Sequence, residues 1–193
     1  NAIKISDSSP FLKSYRENAK FINKTAFYVF SYTVFNHFRP IIEINYNFFE
    51  ILVPDIIDQE VILKIRKDLG KKEIRIRTQN ELIKNNLVYD KLVSIHCGKS
   101  TEVIQYETDI RRKGNVISIK LFGKKNIRFM YTAGKDKYTI SSYWNKYYDG
   151  IMCYGPYHEN KFKTRHEIPT SQMGYPRFDK YFNPGFQRDS LIK

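Results

Sequence analysis

Glycine is absent from the first 69 residues of this 193-residue chain, and that absence removes a class of function. A dinucleotide-binding strand–turn–helix needs a G-x-G-x-x-G turn, so that the backbone can approach a pyrophosphate. No such pattern occurs anywhere in the chain, which disfavours a nicotinamide- or flavin-dependent dehydrogenase, and no cofactor is expected. Gly98-Lys99-Ser100 has the ending of a phosphate-binding P-loop. The full pattern requires glycine at position 93, where Val93 stands. Cysteine is equally scarce. Cys97 and Cys153 form no C-x-x-C pair and have no histidine at metal spacing, so neither a disulfide framework nor a structural zinc site is expected. No apolar run approaches the roughly 18–20 residues of a membrane span. Stretches such as residues 25–30 are strand-sized, and no charged-then-apolar leader opens the chain. Neither a Ser-His-Asp order nor a paired-carboxylate spacing is present, so hydrolase chemistry has no support.

What is present is a chain able to build a core. Hydrophobic residues make up 41% and aromatics 16%, which argues against disorder. The net charge is +13, and it is unevenly spread. Residues 111–137 hold nine lysines and arginines against Asp136 alone. Such a run is either a solvated lysine-rich face or a contact for an anionic partner: nucleic acid, a phosphorylated substrate or an anionic membrane surface.

The periodicity predicts an α/β chain: a doubly wound, mainly parallel sheet with helices on both faces. Residues 25–30 read as a buried first strand, followed by a loop and a helix from about Phe38 with Pro40 in its first turn. Phe48 to Val53 is the next strand. The helix at 59–69 is the best marked, with Asp58 as N-cap, an apolar face of Val61, Ile62, Ile65 and Leu69, and Gly70 as the stop. Strands are expected at Glu73–Arg77, Lys91–His96, Val116–Phe122, Ile127–Tyr131 and Gly150–Tyr154, with a last short one near Gly174. Further helices are expected from Thr78 to about Asn86, at 101–113, ending near Tyr148, and from Pro156 to Phe162.

His37 falls in the predicted loop after the first strand, on the edge where open α/β sheets place ligands, and suits a general base. The plainer alternative is a surface or helix-capping histidine. His96, at the end of another strand on the same edge, has a similar case. His158 and His166 flank a helix and are read as structural.

The stretch from Asn126 to Phe182 carries the most specific pattern. It runs Asn126-Ile127-Arg128-Phe129-Met130-Tyr131, then Gly134-Lys135-Asp136-Lys137, then Tyr148-Asp149-Gly150-Ile151-Met152-Cys153-Tyr154-Gly155-Pro156-Tyr157. It closes with Gly174-Tyr175-Pro176-Arg177-Phe178-Asp179-Lys180-Tyr181-Phe182. This order resembles the CDP-glycerol glycerophosphotransferase family, the polymerases and primases of teichoic-acid-like polymers. It looks like the end of that family's N-terminal Rossmann-like half. The match covers the last third of the chain, extends loosely to Phe27–Pro40, and is most specific at Gly174–Asp179.

The resemblance implies a GT-B architecture of two Rossmann-like halves across a cleft. Residues 1–183 are then the acceptor-side half and 184–193 the start of a linker. The CDP-activated donor is bound mainly by a C-terminal half that this chain lacks. The ends, Asn1-Ala2 and Leu191-Ile192-Lys193, are in keeping with a fragment. The implied reaction moves glycerol-phosphate, or a similar alditol-phosphate, onto an anionic polymer or lipid-linked acceptor in cell-wall or capsule synthesis. The implied location is cytoplasmic, peripheral on the inner face of the membrane. His37, or secondarily His96, is the expected catalytic base. Lys135, Lys137 and Arg128 are expected to contact phosphates, while Arg177 either does so or pins the interdomain hinge. Where such transferases often show a His-Gly pair before Gly-Lys, this chain reads Tyr131-Thr132-Ala133-Gly134-Lys135. Either His37 or His96 takes that role, or the acceptor differs. The competing readings are a GT-B nucleotide-sugar glycosyltransferase or UDP-sugar 2-epimerase, and a basic nucleic-acid-binding module. The last is disfavoured, because no recognition helix or zinc finger appears and the tyrosines are not interleaved with the basic cluster.

Overall fold

The computed structural model describes residues 10–55, 57–95, 121–130, 140, 145 and 148–178. The described elements are α1 (Pro10–Glu17), β1 (Lys20–Tyr28), α2 (Tyr32–Ile44), β2 (Phe49–Val53), α3 (Gln59–Leu69), β3 (Ile76–Thr78), α4 (Gln79–Asn85), β4 (Leu87–Ser94), β5 (Gly123–Phe129), β6 (Gly150–Cys153), α5 (Pro156–Lys163) and β7 (Thr170–Gln172). A single 3-10 turn, Tyr46–Phe48, precedes β2. The strands form one seven-stranded sheet in the order β3-β2-β1-β4-β5-β6-β7. Every neighbouring pair is parallel. The doubly wound expectation therefore holds. The chain winds outward from β1 to β3, then crosses back to lay β4 on the other side of β1, so the winding reverses between β1 and β4.

Alternation along the strands loads both faces with apolar side chains, as a parallel sheet covered on both sides requires. On one face Phe27, Ile51, Val53, Val93 and Phe129 pack with Val34, Phe35, Phe38 and Ile42 of α2 and with Ile65 and Leu69 of α3. Phe38 is fully buried, its ring 4.8 Å from Phe27 and 5.1 Å from Phe129 between centroids. On the other face Ala26, Tyr28, Leu52, Val88, Tyr89 and Leu92 meet Tyr15 of α1 and Leu82 of α4. A smaller cluster of Ile151, Cys153, Met130, Ile140 and Phe162 sits around α5.

The helix ends follow the expected chemistry. Asp58 Oδ1 accepts the Glu60 N–H at 2.9 Å, and Gly70 ends α3 with a φ of 59°. Thr78 Oγ1 accepts the Glu81 N–H at 3.2 Å and starts α4. The second-face core also encloses a charge pair. Arg77 Nε and the Tyr89 hydroxyl each donate to Glu50 Oε2 at 2.9 Å. Burial first, and then the Glu50 charge, push the Tyr89 phenol well above its ordinary pKa. Removing one member of such a buried pair leaves an uncompensated charge, which costs far more than an exposed pair is worth.

Four elements differ from their expectations. Helix α2 begins at Tyr32, not near Phe38, because Ser31 Oγ caps the Val34 N–H at 3.3 Å. Pro40 therefore lies inside the helix. It removes one intrahelical donor, and the burial of Val34, Phe35, Phe38 and Ile42 offsets that loss. Gly123-Lys124-Lys125 does not separate two strands but begins β5, and Leu121 and Phe122 before it are helical. Close packing selects the glycine: a Cβ there would lie 2.7 Å from Leu92 Cβ and 2.6 Å from Asn126 Oδ1. Strand β4 begins earlier than expected, at Leu87, and β3 is confined to Ile76–Thr78. The helix expected at 101–113, the strand expected over 116–120 and most of the segment before Tyr148 lie outside the described residues.

Candidate functional site

All seven strands point the same way, so the loops leaving their C-terminal ends share one edge, where a doubly wound sheet places its ligands. His37 reaches this edge from α2. It is a helical residue, not the loop residue expected, because the Ser31 cap starts the helix before it. Only 6% of its surface is exposed. It lines a shallow surface recess, open to solvent, with Phe129, Tyr154, Tyr175, Pro176 and Arg177. Burial first, and then the Arg177 charge, hold its pKa below the ordinary imidazole value. A neutral imidazole at ordinary pH can accept a proton, and the adjacent guanidinium can hold an anion beside it.

The Gly174–Phe178 segment delivers Arg177 to this position step by step. Strand β7 pairs with β6, and the Met173 N–H donates to the Cys153 carbonyl at 2.8 Å. Gly174 then takes a φ of 70°, a conformation that favours glycine, and turns the chain. Pro176 to Phe178 form one 3-10 turn, closed by Phe178 N–H to the Tyr175 carbonyl at 2.8 Å. The Tyr175 ring lies 4.3 Å from Tyr154 and stacks 4.5 Å from Phe178. Arg177 is exposed, its guanidinium 5.6 Å from the Phe178 ring centroid. It has no hydrogen bond or ion pair with a described residue.

Much of the rest of the motif is scaffolding. The Tyr148 hydroxyl meets Ser94 Oγ at 3.0 Å, tying the approach to β6 to β4. Asp149 Oδ2 accepts the Asn126 N–H at 2.7 Å, tying it to β5. Tyr148-Asp149-Gly150 thus sets the start of β6. Gly155 and Pro156 start α5 with proline in its first turn.

The expected site residues separate accordingly. The fold brings His37 and Arg177 together. Arg128 lies in the core beneath α5, with no exposed surface. Its Nη1 donates to Asn145 Oδ1, and its guanidinium sits 5.8 Å from the Phe162 ring centroid. It is therefore placed to hold α5 and its surroundings, not to meet a surface ligand. His96, Lys135 and Lys137 lie outside the described residues. His166 Nε2 meets the Ile140 carbonyl at 2.5 Å; a carbonyl only accepts, so the imidazole donates there. His158 is buried in α5, its ring 5.7 Å from Tyr154 and 5.3 Å from Tyr157. Cys153 is buried too, which pushes its thiol up to about 11 and makes it a poor nucleophile. The aromatic lining, Tyr154 and Tyr175 with Phe178 behind, was not foreseen as part of the site. Its signal was there in tyrosines directly beside Gly155-Pro156 and Gly174.

Among the described residues, no three histidine, cysteine or acidic side chains converge as metal ligands, and no helix is long and apolar enough to cross a membrane. No family model, no curated protein and no solved structure matches the chain.

Proposed function

We propose that this chain is the acceptor-side lobe of a GT-B-type transferase, of the kind the CDP-glycerol glycerophosphotransferases represent. The observation that carries the reading is the pairing of His37 with Arg177 at the C-terminal edge of the sheet, with Arg177 supplied by the Gly174–Asp179 segment that bears the resemblance. In this reading Arg177 holds an anionic group of the acceptor. His37, kept neutral by burial and by the neighbouring cation, takes the proton from the attacking hydroxyl as it displaces CMP from the CDP-activated alditol. The donor binds mainly to a second lobe, and the recess is shallow because it forms one wall of the cleft.

The test is a transfer assay on the protein carrying both lobes, with CDP-glycerol as donor. His37→Ala is expected to lower kcat about a hundredfold or more if the residue is the base. An unchanged rate removes it from the site. The 193-residue chain by itself is expected to show no calorimetric binding of CDP-glycerol at micromolar concentration, and binding there would overturn the division between lobes. Turnover with a UDP-sugar and none with CDP-glycerol would move the assignment to a nucleotide-sugar enzyme on the same lobe.

A further inference from the structure

The recess at the C-terminal edge holds a permanent charge without a counter-charge. Of the described residues that line it, Arg177 is cationic, His37 titrates, Tyr154 and Tyr175 bring phenols, and Phe129 and Pro176 are apolar. No carboxylate is among these six. The charged groups on the neighbouring elements are engaged elsewhere. Arg39, two residues along α2, is paired with Glu43 and with Asp68 of α3, each at 2.8 Å. Glu159 of α5 meets Lys163 at 3.0 Å and accepts from Thr170 and Gln172 of β7. His158 of α5 packs on Tyr154, its ring 5.7 Å away.

Packing sets where the uncompensated cation stands. The 3-10 turn that carries Arg177 is flanked by Tyr175 and Phe178, whose rings stack at 4.5 Å. Tyr154, just past the end of β6, pins Tyr175 at 4.3 Å. The backbone at Arg177 is thereby held at the recess. Its guanidinium, exposed and with no hydrogen bond or ion pair to a described residue, presents its N–H donors to a ligand.

Two effects oppose a proton on His37 in this state: burial of the ring and the facing Arg177 charge. An oxyanion on the guanidinium reverses the second and leaves the first. Such a group, with two oxygens in one plane, fits the guanidinium fork. We propose that the recess takes up an oxyanion and a proton as a linked pair: an anionic group seated on Arg177 makes His37 a stronger base. Linkage is reciprocal, so the oxyanion binds more tightly once His37 is protonated. The imidazolium then donates to an oxygen that the guanidinium leaves free.

This inference rests on the transferase reading above only for its purpose. There, the acceptor's own anion raises the basicity of the group that takes its hydroxyl proton. The base is weak until the acceptor has arrived. A general base works best with a pKa near the working pH, and His37 in the empty recess lies below it.

The experiment is an NMR titration of His37 in the 193-residue chain, over roughly pH 4 to 8, around the ordinary imidazole value. Sulfate is the probe because it stays a dianion over that range, and chloride at equal ionic strength is the control. Sulfate is expected to raise the His37 midpoint by about 0.5 or more, and therefore to bind the protonated form about threefold or more tightly. His166, which donates to the Ile140 carbonyl, should not respond. Arg177→Gln should abolish the sulfate response. Arg177→Lys, which keeps the charge and loses the fork, should weaken it. Arg177 is exposed, and circular dichroism checks that both variants fold. The proposal is overturned if the midpoint is the same in sulfate and chloride, if sulfate affinity is flat across the His37 titration, or if Arg177→Gln still responds. Competition at fixed pH then separates this coupling from the reading it serves. Displacement of sulfate by glycerol 3-phosphate supports both. Displacement by CMP alone leaves the coupling standing, places the anion on the nucleotide and removes the acceptor-side assignment. Loss of the coupling leaves the transferase reading to its own rate assay.

Discussion

The two edges of the sheet are built from the same strands, yet they present opposite kinds of surface. At the C-terminal edge a histidine is 94% shielded from solvent, and an arginine and tyrosines line the same small recess. At the N-terminal edge Lys20, Lys84, Lys124 and Lys125 and the apolar Phe21, Ile44 and Phe48 stand exposed to solvent. The difference follows from how each edge is closed. The segment after β7 folds back over the first edge, adding Tyr175 and Arg177 to α2, and so makes a concave site with one perturbed group. Over the described residues of the other edge, short helix exits lead straight into strands and leave their side chains outward. Concave closure brings groups close enough to act on one small ligand, and the described residues of the other edge have no such closure.

Substitutions can break this contrast, and the largest effect is expected at the concave edge. The hundredfold loss expected for His37→Ala corresponds to about 2.7 kcal/mol of transition-state stabilisation. The N-terminal-edge pair Lys124→Glu and Lys125→Glu should leave the rate unchanged. A comparable loss from both would erase the contrast between the edges. Next in size is Gly123→Ala at the start of β5, where a methyl has no room against Leu92 and Asn126. Overpacking of this kind costs about 1–3 kcal/mol, which urea unfolding measures. A neutral result would mean that β5 can shift, and with it Phe129 in the recess. Ser31→Ala removes the cap that places His37 within α2, with an expected cost of about 1 kcal/mol in the same measurement.

The smallest effect is the most local. Arg177→Gln should raise the His37 pKa in an NMR titration, because one of the two causes of its depression is removed while burial remains. An unmoved titration would separate the two residues. The sign for stability follows from the same depression. The unfolded chain takes up the proton first, so the His37 contribution is complete above the unfolded value of about 6.5 and declines as pH falls through it toward the lower folded value.

Several elements were legible because their signals are local. Helix α3 carries its own start and stop in Asp58 and Gly70, and α4 its start in Thr78. Strand β6 and helix α5 follow from an apolar run broken by Gly155-Pro156. Other elements were not, because tertiary packing overrode a local signal. Pro40 reads as a helix start, yet α2 runs through it, since its apolar face is buried on both sides of the proline. Gly123 reads as a turn, yet it sits in a strand because Leu92 comes too close for any side chain. Of the candidate site, His37 and Arg177 were each visible as residues worth attention, but nothing in their spacing announced that they meet. Arg128 showed the reverse: it looked like part of a surface cluster and is core.

What the amino-acid order determined by itself is the class of the fold and the charge of the molecule. Hydrophobic period and capping act over a few residues, and net charge needs no geometry at all. The tertiary structure alone decided which distant residues share a site, where the cations gather and which of them are buried. Those outcomes depend on strand order and on the turn at Gly174, and both are settled by packing between segments far apart in the chain.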